Sequence, residues 1–124
     1  MTPTEFRRLA LSFPETEERS HMNHPDFRLR GKIFATLSYP NESRGMVQLT
    51  PIEQEMFMKD EPEAFSPASG AWGRGGSTMV NLKLVKKATI RKALEAAWQL
   101  AMAKQSGKKS SKQPSKKKLA AKTR

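Results

Sequence analysis

Apolar residues recur at Phe6, Leu9, Ala10 and Phe13, the i, i+3, i+4, i+7 spacing of one helical face. Thr2-Pro3-Thr4-Glu5 precedes them and reads as a capping box, with Pro3 at the first helical position, where its missing N–H costs nothing. Pro14 is expected to end this helix. Beyond the acidic stretch Glu15–Glu18 the period changes to two. Arg19–Asn23 reads as a short strand and His24-Pro25-Asp26 as a turn. Phe27-Arg28-Leu29-Arg30 then alternates, apolar side chains on one face and arginines on the other. Gly31-Lys32 signals a tight turn. In the next strand Ile33, Ala35 and Leu37 are expected to face inward, Phe34 and Thr36 outward.

Tyr39–Gly45 is polar and reads as a loop, followed by a strand over Met46–Leu49 with Val47 and Leu49 inward. Thr50-Pro51-Ile52-Glu53 repeats the opening device, and Ile52, Met56 and Phe57 give the helix that follows a short apolar face; Glu61-Pro62 stops it. Ala64–Ser69 reads as a loop. Gly73-Arg74-Gly75-Gly76 suits a hairpin turn with Arg74 at its tip, and Trp72 beside it is either a core plug, the favoured reading, or an exposed stacking platform. Thr78–Leu84 alternates, with Val80, Leu82 and Leu84 inward. A last helix, capped by Thr89, places Ile90, Leu94, Ala97, Trp98 and Ala101 on one face.

Strands this close together must pair antiparallel, and one sheet face needs the helices to cover it. The expected fold is therefore α+β: a two-layer arrangement with an antiparallel β-sheet of about five strands covered on one face by three helices, in the order α-β-β-β-α-β-β-α. The domain is expected over residues 1–103. Of 23 basic residues in the chain, nine fall between Lys104 and Arg124, where there is no acid; residues 1–103 hold 14 basic and 12 acidic residues, a net of +2. Residues 104–124, with one Leu and no aromatic, are expected to form a disordered Lys-rich tail that attracts polyanions in a salt-sensitive way.

No apolar run approaches the ~20 residues of a membrane helix, and Glu5, Arg7 and Arg8 interrupt any apolar stretch of a secretory signal. The chain has no cysteine, which removes thiolate chemistry and suits a reducing, cytoplasmic setting. His21 and His24 form an H-x-x-H pair, but without cysteine a structural metal site lacks its ligands; strand and turn roles are favoured. Glu17, Glu18 and His21 supply acid–base residue types with no nucleophile or oxyanion site beside them. The glycine segment lacks the Lys-[Ser/Thr] ending of a phosphate loop. No metal, cofactor or catalytic set is expected.

Leu11-Ser12-Phe13-Pro14-Glu15 with Glu18, His24-Pro25-Asp26-Phe27-Arg28, Gly31-Lys32-Ile33-Phe34-Ala35-Thr36-Leu37, Leu49-Thr50-Pro51, Gly70-Ala71-Trp72-Gly73 and Trp98 occur in this order over about residues 4–103. Together they resemble the MmcQ/YjbR family. That resemblance implies a CyaY-like α+β domain with a double-wing arrangement, and a DNA-binding role without catalytic residues. From the residues themselves, Arg28, Arg30, Lys32, Arg74 and Lys83 are the best contacts for phosphate, on an open sheet face and its rim, with Phe34 available for stacking; an ordinary solvated face is the alternative. Lys108, Lys109, Lys112, Lys116, Lys117 and Lys118 add the tail's charge. The expected function is non-enzymatic binding of nucleic acid, DNA ahead of RNA, by a monomer or weak homodimer off the membrane. The alternative is a protein-interaction or regulatory adaptor whose tail is only solubilising.

Overall fold

The computed structural model describes residues 1–38 and 41–110, with side chains as far as Gln105. The elements run α1 (Pro3–Ala10), β1 (Thr16–His21), β2 (His24–Leu29), β3 (Lys32–Leu37), β4 (Arg44–Gln48), α2 (Pro51–Asp60), β5 (Phe65–Pro67), α3 (Gly70–Arg74), β6 (Ser77–Asn81) and α4 (Lys87–Ser110). This is an α+β fold with six strands and four helices where about five and three are expected from sequence. All neighbouring strands are antiparallel, in the order β1-β2-β3-β4-β6-β5. The helices α1 and α4 lie on one face. The core between them joins Phe6 and Ala10 of α1, Phe27, Leu29, Phe34, Leu37, Val47 and Val80 of the sheet, and Ile90, Leu94 and Ala97 of α4.

Both capping boxes form. Thr2 Oγ1 accepts the Glu5 N–H while the Glu5 carboxylate accepts the Thr2 N–H; Thr50 and Glu53 repeat the exchange. The helix α1 stops at Ala10, before Pro14: Leu11 makes the last regular bond, to Arg7, and Ser12 then donates both its N–H and its hydroxyl to the Leu9 carbonyl in a tighter turn. Phe13 lies past its end and reaches the core by stacking on Trp98, whose indole N–H donates to the Pro14 carbonyl at 3.1 Å.

The turns differ from expectation in a consistent way. The first hairpin turns at Met22-Asn23, with φ of 51° and 68°, and the second at Arg30-Gly31, with φ of 51° and 86°. Both are two-residue turns with positive φ at each central position, the conformation whose twist matches the strands. His24-Pro25-Asp26 therefore belongs to β2, and Pro25 fits because the β2–β3 ladder begins only at Asp26. In that ladder Phe27 faces Ala35 and Arg28 faces Ile33, so Phe34 is an extra residue on β3. This bulge lets Phe34 and Ala35 both turn into the core, each fully buried, and moves Ile33 to the outer face with Arg28. The expected exposure of Phe34 and burial of Ile33 are thus reversed.

At the far edge the expected loop 64–69 contains β5, and the glycine segment forms the helix α3 instead of a hairpin. Gly73 carries the close contact: a Cβ there would lie 1.8 Å from the Ala68 carbonyl oxygen. With the backbone of α3 pressed inward, Trp72 points to solvent and is 78% exposed, against the favoured core reading. Gln54 binds this unit together. Its buried amide donates to the carbonyls of Gly73 and Ser77 and to Thr78 Oγ1, at 3.0–3.1 Å. Because α2 turns Gln54 inward, Ile52 and Met56 are exposed and do not form the expected apolar face. The strand β6 ends at Asn81, where Leu84 and Val85 both donate to the Asn81 carbonyl; that turn buries Val85 and exposes Leu84. Thr89 is a buried residue inside α4 and not its cap.

Gln54→Ala would leave two buried carbonyls without their side-chain donor. A loss of about 2–3 kcal/mol is expected, measured by urea unfolding at neutral pH.

Candidate nucleic-acid interface

The strand register places each candidate residue. Directly paired residues share a sheet face. On the face away from α1 and α4, one row runs Arg19–Asp26–Thr36–Met46–Met79–Ser66. Beside it lie Glu17–Arg28–Ile33 and Gln48–Ser77; on the other side are His21–His24 and Arg44–Asn81. This outer face is apolar at its middle, through Ile33, Met46 and Met79, with arginines around it. Arg19 and Arg44 sit there and were not among the sequence candidates. Arg44 falls in the polar stretch that reads as a loop from sequence, whereas β4 starts at Arg44, two residues before Met46.

Arg28 is on this face but is committed to the protein. Its guanidinium grips the fully buried Asp26 carboxylate, Nε to Oδ1 at 2.7 Å and a terminal nitrogen to Oδ2 at 3.1 Å. His21 Nδ1 donates to the same Oδ2 at 2.7 Å. These two partners, Arg28 first, hold the Asp26 carboxyl below the usual aspartate range against the opposing effect of burial. The same contact raises the Arg28 guanidinium pKa.

Arg30, Lys32 and Arg74 lie at one end of the sheet. Arg30 forms the β2–β3 turn and grips Glu15 through two bonds of 2.7 and 3.0 Å. Lys32 pairs with Leu29 and so leaves the sheet on the helix side. Arg74 closes α3 beside the Gln48–Ser77 end of the β4–β6 pair, where the Gln48 amide meets the Gly75 carbonyl at 3.4 Å. The last turns of α4 arrive at this same end: Gln105 Nε2 donates to the Leu29 carbonyl at 2.6 Å and lies 3.4 Å from that of Arg30. Lys104, exposed, comes with it. The helix continues past the expected domain limit at 103, so the backbone of Lys108 and Lys109 belongs to α4. Lys112, Lys116, Lys117 and Lys118 lie outside the described residues.

Lys83 is elsewhere. It follows β6 at the opposite end of the sheet and lines a shallow, open depression with Asn41, Glu42 and Ser43. The five body candidates are thus divided: three at the α4 end, one inside an ion pair on the outer face, one at the far end. Phe34, buried, offers no stacking surface. Among the described residues no three His, Asp or Glu side chains are placed to hold a metal ion, and no helix is long and apolar enough to cross a membrane.

The YjbR family model matches residues 11–100. Among solved structures, the crystal structure of Deinococcus radiodurans protein DR2400, which carries a DUF419 domain, matches with a TM-score of 0.71 and 15% identity, covering 99% of this chain and 97% of that one. Among curated proteins none matches.

The Asp26 contacts carry a pH signature. A carboxyl whose pKa is lowered by folding adds stability above its unfolded pKa, about 3.9, and that stability is lost as pH falls through the lower folded-state value. Asp26→Asn is expected to cost about 2 kcal/mol at pH 7. The gap to the parent should narrow below pH 4, as urea midpoints across pH 2.5–7 would record.

Proposed function

This chain belongs to the YjbR family, and we propose that it is a non-enzymatic nucleic-acid-binding protein, acting on DNA ahead of RNA and contacting phosphates through the α4 end of its domain and its Lys-rich C-terminal segment. The observation that supports this reading is the grouping of Arg30, Lys32, Arg74 and Lys104 at the end of the domain toward which α4 leads the Lys-rich segment. Cations at the last turn of a helix are also what its dipole favours, so charge alone would not distinguish binding from helix stability. What favours binding is that Lys32 and Arg74 belong to other elements, and neither has an ion-pair partner among the described residues.

The roles divide by chemistry. Arg28 and Arg30 spend their forked donors on Asp26 and Glu15 and hold the β1–β2–β3 region in shape. Lys32, Arg74 and Lys104 supply positive charge with no such partner among the described residues, and the segment beyond α4 adds six more cations from Lys112 to Arg124. Binding of this kind follows counterion release and reads little sequence. Phe34 is buried, so the exposed apolar set including it that would have favoured the adaptor alternative is not formed.

Fluorescence anisotropy of a short labelled DNA duplex, titrated with KCl, tests the proposal. Replacing the six cations beyond Ser110 by Gln should reduce the slope of log K against log salt by up to about 5, at roughly 0.9 per phosphate neutralised. Lys32→Glu with Arg74→Glu should weaken binding about ten-fold on any duplex sequence. An unchanged slope and affinity in both variants, or no binding at 20 mM KCl, would overturn it.

A further inference from the structure

β1 is an edge strand of the sheet, with β2 on one side only. From Glu17 to His21 every residue is exposed. In a hairpin with a two-residue turn, the pair flanking the turn exchanges N–H···O=C bonds, and such pairs then alternate along the strands. Here those pairs are His21–His24, Arg19–Asp26 and Glu17–Arg28. The N–H and C=O groups of Thr16, Glu18 and Ser20 therefore point away from β2, along the free edge. Among the described residues none of them has a backbone partner there.

Such an edge is a template for another strand, and proteins usually block it with charge. The charges of this one are arranged to match a copy of themselves. When an antiparallel second β1 is laid along it, outward groups must meet outward groups, so even-numbered residues face even-numbered ones. Centring the two-fold axis on Glu18 sets Thr16 opposite the partner's Ser20, Glu18 opposite the partner's Glu18, and Ser20 opposite the partner's Thr16. Those three pairs exchange about six backbone hydrogen bonds. On the outer face the same register puts Glu17 against the partner's Arg19 and Arg19 against the partner's Glu17, both as non-hydrogen-bonded pairs, where side chains approach most closely.

The neighbouring registers are disfavoured by the same charges. Shifting the axis by one residue sets Glu17 against the partner's Glu17 or Arg19 against the partner's Arg19. The one like-charged contact in the favoured register is Glu18 with the partner's Glu18, on the helix side. There each carboxylate is already bound by Arg7 of its own chain, Nε to Oε1 at 2.8 Å, so two neutralised pairs meet.

We infer that two copies of this chain associate through antiparallel β1 edges, centred on Glu18, to form one continuous twelve-stranded sheet. The interface is a single strand wide, so the dimer is weak and concentration-dependent. The inference stands whether or not the protein binds nucleic acid.

Sedimentation of the full chain over a wide concentration range tests it. Glu17→Lys alone creates two Lys–Arg contacts across the axis, and Arg19→Glu alone creates two Glu–Glu contacts; each should weaken dimerisation by about ten-fold or more. Mixed together, the two variants set the introduced lysine of one chain against the introduced glutamate of the other. The second contact keeps the original Arg19 against the original Glu17, so the heterodimer should recover parental affinity. That recovery is a result that misfolding of either variant would not produce. By amide exchange, dimerisation should newly protect the N–H groups of Glu18 and Ser20, while that of Arg19 is already protected by β2. A chain that stays monomeric at millimolar concentration, a dimer indifferent to both substitutions, or a mixture that fails to recover would each overturn the inference.

Discussion

At Phe34 the β3 strand carries one residue more than β2 can pair, and the consequences extend across the sheet. Without the extra residue, strict alternation would put Ile33, Ala35 and Leu37 inside and leave a phenyl ring on the surface. With it, Phe34, Ala35 and Leu37 all enter the core beneath α1 and α4, and Ile33 moves to the outer face. The bulge is stabilised by what it buries: a fully buried Phe side chain contributes more than an Ile left half-exposed gives up. It also sets what the outer face can offer a ligand. Ile33, Met46 and Met79 remain there, with no aromatic ring among them.

The β5–α3 edge is held by backbone contacts more than by side-chain packing. Gly73 lets α3 approach Ala68, Gly76 lets the β6 entrance approach the Leu49 carbonyl, and Gln54 satisfies the carbonyls this crowding buries. Side chains at such a place are free to turn outward, which is why Trp72, Ile52 and Met56 are exposed together with Arg74. A comparable economy operates at Asp26. A buried carboxylate is costly unless it is paired and hydrogen-bonded, and Arg28 and His21 supply both conditions.

The features legible in the sequence were those set by neighbouring residues. The Thr-Pro-x-Glu boxes at Thr2 and Thr50 announce α1 and α2, and the apolar periods of Phe6–Ala10 and Ile90–Ala101 announce the faces they bury. The features that were not legible depend on partners distant in the chain. Nothing local to Lys32–Leu37 marks Phe34 as unpaired, since the extra residue exists only against β2. Nothing in Ile52–Phe57 tells that Gln54 is the inward residue, because its three acceptors lie beyond Trp72. Of the two readings open for Trp72, core plug and exposed platform, the exposed one holds, because the close contact belongs to the glycine after it. For the candidate interface, the sequence grouped Arg28, Arg30, Lys32, Arg74 and Lys83 on the open sheet face and its rim. Of these, Arg30, Lys32 and Arg74 share an end of the sheet, by way of turns and helix ends. The partner of Arg28, Asp26 two residues earlier, is not part of that grouping.

The separation of arginines from lysines follows from the same geometry. A guanidinium has a planar fork that fits a carboxylate with two bonds, and Arg28 and Arg30 use that fork inside the fold, as Arg7 uses one arm of it on Glu18. The Arg30–Glu15 and Arg7–Glu18 pairs each join two segments of chain, the Arg28–Asp26 pair neutralises a buried carboxylate within β2, and all three leave little net charge behind. Lysine is a hydrated point charge on a flexible stem, poor at bidentate recognition and suited to a diffuse polyanion. Of the nine cations from residue 104 onward, eight are lysines. On the proposed function, the body contributes a fixed end with a few unpaired charges, and the C-terminal segment contributes density of charge. On that reading the charge is matched to phosphate, and binding answers to ionic strength more than to base sequence.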